Sequence, residues 1–165
     1  PRFADERVRR AVLRHLVDFD GNTFQNLNRG RIVVQGVEPE LKWRLVDRWR
    51  LQLGATLLDI QEKDGLQPLR NRPETRAAAT MKWQIHDTRS AFVGVQHTGK
   101  FLDRSNPTGD IRMPSYTVVD AGYAMPLGPF RLKLALDNLL DSDHEQFVGF
   151  PAQGRRLRAE LAASF

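Results

Sequence analysis

At 165 residues, 41% of them apolar, the chain is long enough for one domain, yet its mean hydropathy is negative and no run nears the roughly 18 apolar residues of a membrane-spanning helix. A helical membrane protein is excluded, whereas a membrane barrel is not, because its strands alternate lipid-facing apolar with lumen-facing polar residues and average to a polar composition. The net charge of +5, carried mostly by arginine, fits a nucleic-acid surface, a basic lumen or anionic ligands, and the absence of cysteine removes disulfides, thiolate metal sites and cysteine nucleophiles.

The chain starts at Pro1 without an initiator Met, a basic leader or an apolar leader segment, so any export signal is expected upstream and the chain is expected to be a fragment. In the first segment, Val8, Ala11, Val12, Leu16 and Phe19 suit a helix, while Ala11, Leu13, His15, Val17 and Phe19 suit a strand. Periodicity does not choose between them. A strand is favoured because a sheet continuing from Ile32 needs a neighbour and the β-branched and aromatic content permits one.

From about Gly30 the period is two. Val33, Val37, Leu41, Trp43 and Leu45 form a weak stripe, and Trp49, Leu51, Leu53, Ala55 and Leu57 a strong one with Arg50, Gln52 and Thr56 opposite. Ala77, Ala79, Met81, Trp83 and Ile85 follow, then Ala91, Val93 and Val95 in a strand ending near Phe101. Val119, Ala121, Tyr123 and Met125 line a strand starting near Pro114. The last two strands carry Phe130, Leu132, Leu134 and Leu136, then Leu157, Ala159, Leu161, Ala163 and Phe165. Long strands without intervening helices predict an antiparallel meander.

The connections alternate in length. Short ones fall near Val46-Asp47, His86-Asp87-Thr88 and Pro126-Leu127-Gly128, and long polar ones at about 20–30, 61–72, 102–113 and 140–154. In an outer-membrane barrel short turns face the periplasm, long loops face outside, and the last strand ends in the periplasm. Counting back from Phe165 puts every short turn on the periplasmic side. Strands of about 10 to 14 residues exceed the soluble norm and suit a tilted crossing. Trp43, Trp49 and Trp83, beside the short turns, match a lower aromatic girdle. The pattern predicts an all-β, antiparallel, up-and-down transmembrane barrel.

Chemistry-bearing residues are sparse. His15, His86, His97 and His144 are scattered with no HExxH spacing, so no metal is expected. Asp137 and Asp141 suit turn and loop-entry roles better than acid–base work, and neither an enzyme nor a cofactor is expected. Alternation sends Arg156 and Arg158 to the lumen, where Asp137 and Glu160 offset them, which argues against a nucleic-acid surface.

The last residues, DNLLDSDHEQFVGFPAQGRRLRAELAASF, resemble the terminal pattern of the TonB-dependent outer-membrane receptors: Asn-Leu-Phe-Asp, a short loop, Pro-x-Gly-Arg and a final strand ending in Phe. The matching residues are Asn138, Leu139, Asp141, Pro151, Gly154, Arg155 and Phe165; Leu140 replaces the usual Phe, and His144 stands where Tyr is common. Upstream, Asn26, Asn28, Gly36, Val37 and Glu38 resemble a second family segment, and Pro68, Leu69, Asn71, Arg72 and Pro73 a third, so the resemblance covers nearly the whole chain.

The resemblance implies that residues 1–165 form the C-terminal portion, about the last eight strands, of a 22-stranded barrel whose N-terminal plug and TonB-contacting segment are absent. It implies the outer membrane of a Gram-negative bacterium, contact with its lipid, energy coupling by the TonB complex through the plug, and import of an iron–siderophore complex or cobalamin. Phe165 would then be the signal read by the barrel assembly machinery. Ligand contacts are expected from the outer loops at Arg70, Arg72, Arg104, Asn106 and Asp110, since guanidinium forks suit carboxylate, catecholate and phosphate oxygens. The competing expectations are a self-contained eight-stranded barrel, structural or adhesive, in which residues 8–19 pair with 155–165, and a soluble basic β-domain that binds nucleic acid.

Overall fold

The structure, a computed structural model, describes residues 2–13, 16–20, 24–29, 32–63, 69–105 and 108–163; for 2–13, 16–20, 26–29 and 62 it describes the backbone alone. His15, Pro68, Asn106 and Phe165 lie outside the described residues. Strand β1 (Arg2–Leu13) leads through a short pair, β2 (Leu16–Asp20) and β3 (Gln25–Arg29), to β4 (Ile32–Val46), β5 (Trp49–Glu62), β6 (Thr75–His86) and β7 (Arg89–Thr98). A second pair, β8 (Phe101–Ser105) and β9 (Gly109–Met113), precedes β10 (Tyr116–Leu127) and β11 (Phe130–Asp137). A third, β12 (Glu145–Phe147) and β13 (Phe150–Pro151), precedes β14 (Arg156–Ala163). The opening segment is therefore extended rather than helical, as its aromatic and β-branched content favoured, but it divides between β1 and β2 instead of forming one strand.

Eight of these strands make one antiparallel sheet in the order β1-β4-β5-β6-β7-β10-β11-β14. The other three pairs are two-stranded sheets within the long connections, which are thus more ordered than their polar sequences implied. Paired strands can run on past the main sheet because their backbone groups still need partners. Strands β1 and β14 lie at opposite edges and are not hydrogen-bonded to each other. A self-contained eight-stranded barrel needs that pairing, so the small-barrel expectation fails.

Register aligns the outward stripes into rows. Trp43, Leu51, Met81, Val93, Ala121, Leu136 and Leu157 are successive cross-strand partners from β4 to β14. One row nearer the short turns lie Trp49, Trp83, Ala91, Tyr123, Leu134 and Ala159. These side chains are not a core: Val93 is 48% and Leu157 71% exposed. Among the described residues no large side chain is under 2% exposed, whereas a soluble domain of this size buries many. The apolar face needs a hydrocarbon solvent, which removes the soluble nucleic-acid-binding reading.

On β5 the apolar run from Trp49 to Leu57 covers roughly 26 Å of strand, about 20 Å of height at a tilt near 40°, close to the band of an outer-membrane barrel. Beyond it the face turns polar: Gln35 and Gln61 amides donate to Asp59 Oδ2 at 3.1 and 2.8 Å. On β11 the apolar run reaches two outward positions lower, to Leu132 and Phe130, as a tilted set of strands crossing one slab requires. Trp49 and Trp83 stack at 5.0 Å and 8° beside the turns at 47–48 and 87–88, where an aromatic girdle belongs.

The opposite face is largely polar, although Leu58, Phe92 and Val118 lie on it. Phe92 lies in the row Arg50, Lys82, Phe92, Gly122, Ala135, Arg158, and its ring covers Gly122 so closely that a Cβ at 122 would collide with it. Gly122→Val is therefore expected to cost about 1–3 kcal/mol, and Phe92→Ala in the same chain to return most of it. Urea midpoints of the single and double variants in detergent micelles measure this, and equal losses in the presence and absence of Phe92 would show that the ring is not the obstacle.

Candidate functional site

The long connections gather at the end of the sheet away from the short turns, and specific polar contacts lace them together. Arg70, in the β5–β6 connection, places Nε and Nη2 each 2.8 Å from Oδ1 of Asp110 on β9. The Asn71 amide donates to the Leu102 carbonyl at 2.7 Å, docking that connection along β8. Asp103, only 7% exposed, accepts the Arg104 amide at Oδ1 and the Val148 amide at Oδ2, at 2.8 and 2.7 Å. The β8–β9 hairpin is thereby joined to its neighbours on both sides.

The terminal motif is a second structural knot. Asn138, 3% exposed, adopts a φ of 49°, a left-handed conformation that asparagine tolerates. Its Oδ1 accepts the Ser142 amide at 2.8 Å, while Nδ2 donates to the Ser142 and Gln153 carbonyls at 3.0 and 3.3 Å. Its own amide donates to Asp120 Oδ1 and that of Leu139 to the Val119 carbonyl, tying the 138–155 connection to β10. Asp141, at φ 53°, accepts the Arg155 amide at 2.7 Å, and a Cβ at Gly154 would lie 3.1 Å from the same carboxylate oxygen. Pro151 pairs with Glu145 in the small β12–β13 sheet. The motif's Asn, Asp and Gly thus shape a loop, and none of these contacts needs a ligand. His144 stacks on Tyr116 at 4.1 Å beside this knot.

A cleft of about 410 Å³ opens beside the rim, lined by Arg72, Glu74, Lys100 and Arg112 over apolar Ile60 and Leu102. Arg72, Lys100 and Arg112 are exposed and make no ion pair among the described residues. Its size lies within the range of small-molecule sites, and three cations against one carboxylate select for anionic oxygens. Lower on the inner face, Glu38, Glu40, Thr56, Arg76, Gln96 and Tyr116 line a broader concavity of about 710 Å³. Of the five loop residues singled out from the sequence, Arg70 and Asp110 meet each other, Arg104 is the register partner of Asp110, Arg72 lines the cleft, and Asn106 is outside the described residues. Lys100 and Arg112 were not anticipated, because their approach to Arg72 depends on how the hairpin docks.

Further down, the inner face of the last strands carries an internal charge network. Arg156 Nη2 and Arg158 Nε approach Asp137 Oδ2 at 2.9 and 2.7 Å, and Lys133 approaches Glu160 at 2.7 Å. The arginines are offset by acids on the inner face, as alternation implied, although Glu160 pairs with Lys133. No cluster of metal-ligating side chains occurs among the described residues.

Comparison with known proteins bears on what such an arrangement serves. A model of the TonB dependent receptor-like β-barrel matches residues 11–139. The vitamin B12 transporter BtuB of Vibrio cholerae serotype O1 is 26% identical over 164 residues, covering 93% of this chain and 25% of its own. The chain thus spans about a quarter of the length of the curated relatives it matches. Among solved structures, the copper transporter OprC superposes with a TM-score of 0.83 at 15% identity, over 99% of this chain and 28% of its own. The ferric-catecholate import receptor Fiu from E. coli K12 does so with a TM-score of 0.75 at 19% identity, over 96% and 24%. At these identities the two structures speak to the fold alone.

Proposed function

The chain belongs to the TonB-dependent receptor β-barrel family of the Gram-negative outer membrane, and from that premise we propose that it is the C-terminal portion of a receptor importing a scarce nutrient, an iron–siderophore complex or cobalamin. The open eight-stranded sheet carries this reading. Unpaired sheet edges are not tolerated in hydrocarbon, so β1 and β14 need further strands, here the rest of a 22-stranded barrel. An N-terminal plug would fill that barrel and link it to the TonB complex, and Phe165 would serve as the assembly signal. A relative named as a vitamin B12 transporter supports the cobalamin class.

Within this chain we assign ligand capture to the cleft of Arg72, Lys100 and Arg112. Arg70 and Asp110 would hold the rim in shape, with Arg104 and Asn106 as further candidates. The test uses the full-length receptor in a strain lacking its own uptake routes, grown on ferric siderophores under iron limitation or on cobalamin as the sole vitamin source. One of these ligand classes is expected to be taken up. Replacing Arg72, Lys100 and Arg112 together with glutamine is expected to weaken its binding by about tenfold or more, as loss of one charge-assisted hydrogen bond already implies. Unchanged affinity at normal surface levels would remove the cleft from the binding site, and growth on neither class would refute the import reading.

A further inference from the structure

We propose that the two short turns beside the stacked tryptophans, 47–48 and 87–88, bind the phosphoethanolamine headgroup of a zwitterionic glycerophospholipid in the adjoining membrane leaflet, whatever solute the receptor imports. The first turn carries Asp47 and Arg48; the second carries Asp87 and is followed by Arg89. All four side chains are exposed, and none makes an ion pair among the described residues. Gln84 ties the two turns together. Its backbone amide donates to the Arg48 carbonyl at 2.7 Å, and its side-chain Nε2 donates to the His86 carbonyl at 2.6 Å. Arg48 Nη1 donates to the Ile85 carbonyl at 2.9 Å, which carries its guanidinium from the first turn toward the second. Arg89 shares the outward side of β7 with Ala91 and Val93.

Depth and charge together select the headgroup. Trp49 and Trp83 stack on the outward face beside both turns, and tryptophan collects where acyl chains give way to headgroups. The turns therefore stand at headgroup depth. An anionic lipid would satisfy the arginines but would meet Asp47 and Asp87 as well. Two acids and two arginines match instead a headgroup that carries one charge of each sign. Its phosphate suits a guanidinium fork, and its primary ammonium donates hydrogen bonds to a carboxylate. A trimethylated ammonium lacks that donor, so a choline headgroup is the poorer match. The turns are two strand spacings apart, about 10 Å, a gap that the arginine side chains narrow from either side. The other cations at this end of β4–β6, Arg44, Arg50 and Lys82, lie on the inner face, away from lipid. The third short turn supplies a contrast, since Leu127, Gly128, Pro129 and Phe130 carry no charge. Headgroup recognition is thus confined to the turns of β4–β7.

The experiment reconstitutes the full-length receptor in phosphatidylcholine vesicles that hold a minor fraction of one acyl-brominated lipid: phosphatidylethanolamine, phosphatidylglycerol or phosphatidylcholine. Bromine quenches the fluorescence of the indoles it touches. Brominated phosphatidylethanolamine is expected to be enriched at the receptor about tenfold over the other two, as one charge-assisted hydrogen bond implies. Trp49→Phe combined with Trp83→Phe should remove the excess quenching. Arg48→Gln with Arg89→Gln should abolish the preference, whereas Asp47→Asn with Asp87→Asn should turn it toward phosphatidylglycerol, because only the cations remain. If the arginine variant fails to assemble, the aspartate variant decides alone. Equal quenching by the three lipids overturns the proposal, as does a wild-type preference for phosphatidylglycerol. So does a preference for phosphatidylethanolamine that survives in the aspartate variant, which would place the headgroup elsewhere.

Discussion

Arginine in place of Val93 is expected to destabilise the barrel by about 2–4 kcal/mol, the cost of a cation held at the lipid-facing midplane. Val93 is the central outward residue of β7, flanked on its strand by Ala91 and Val95 and across it by Met81 and Ala121. Arginine at Gln96, three residues along, turns inward near Glu38 and Glu40 and is expected to change stability by less than about 0.5 kcal/mol, as surface substitutions usually do. Unfolding free energies of both variants of the full-length receptor in lipid vesicles measure the contrast. A small loss for Val93→Arg together with a large one for Gln96→Arg would exchange the inside and outside of the barrel.

The second large effect is expected at Asn138. Alanine there removes three side-chain hydrogen bonds at a site 3% exposed and leaves the Ser142 amide and the Ser142 and Gln153 carbonyls without those partners. It also places a Cβ-bearing residue without asparagine's local hydrogen bonding at positive φ. Together these are expected to lower the free energy for opening the 138–155 connection by about 2–4 kcal/mol. Amide hydrogen exchange across this connection reads the effect. Asn138→Gly separates the two causes, since it keeps the backbone conformation at no steric cost but loses the hydrogen bonds. Full protection in both variants would contradict the structural role assigned to the motif.

The strands and their faces were legible because alternation is a local property. Leu132, Leu134 and Leu136 declare one face of β11 without reference to any other strand, and the alternation of short and long connections orders the meander. The candidate site was legible only in part. Arg72 was found as a loop arginine, but Lys100 and Arg112 join it in the cleft only because Asn71 docks on β8. The Arg70–Asp110 pair spans 40 residues and the Asp103–Val148 contact 45, distances over which periodicity carries no information. Asn138, Asp141 and Gly154 could be recognised as a pattern, yet their work as a loop knot depends on carbonyls and amides that no side-chain pattern reveals.

By itself, then, the sequence determined an antiparallel, membrane-facing sheet, which side chains meet lipid, and which connections are long, because each follows from the two-residue repeat of a strand and the chemistry of its solvent. The tertiary structure alone decided that β1 and β14 stay apart, that the long connections are laced together by polar contacts, and that Arg44, Arg50 and Lys82 stand in one row. Register and loop docking are settled by pairing between distant segments, and a shift of two residues would keep every face while moving every neighbour.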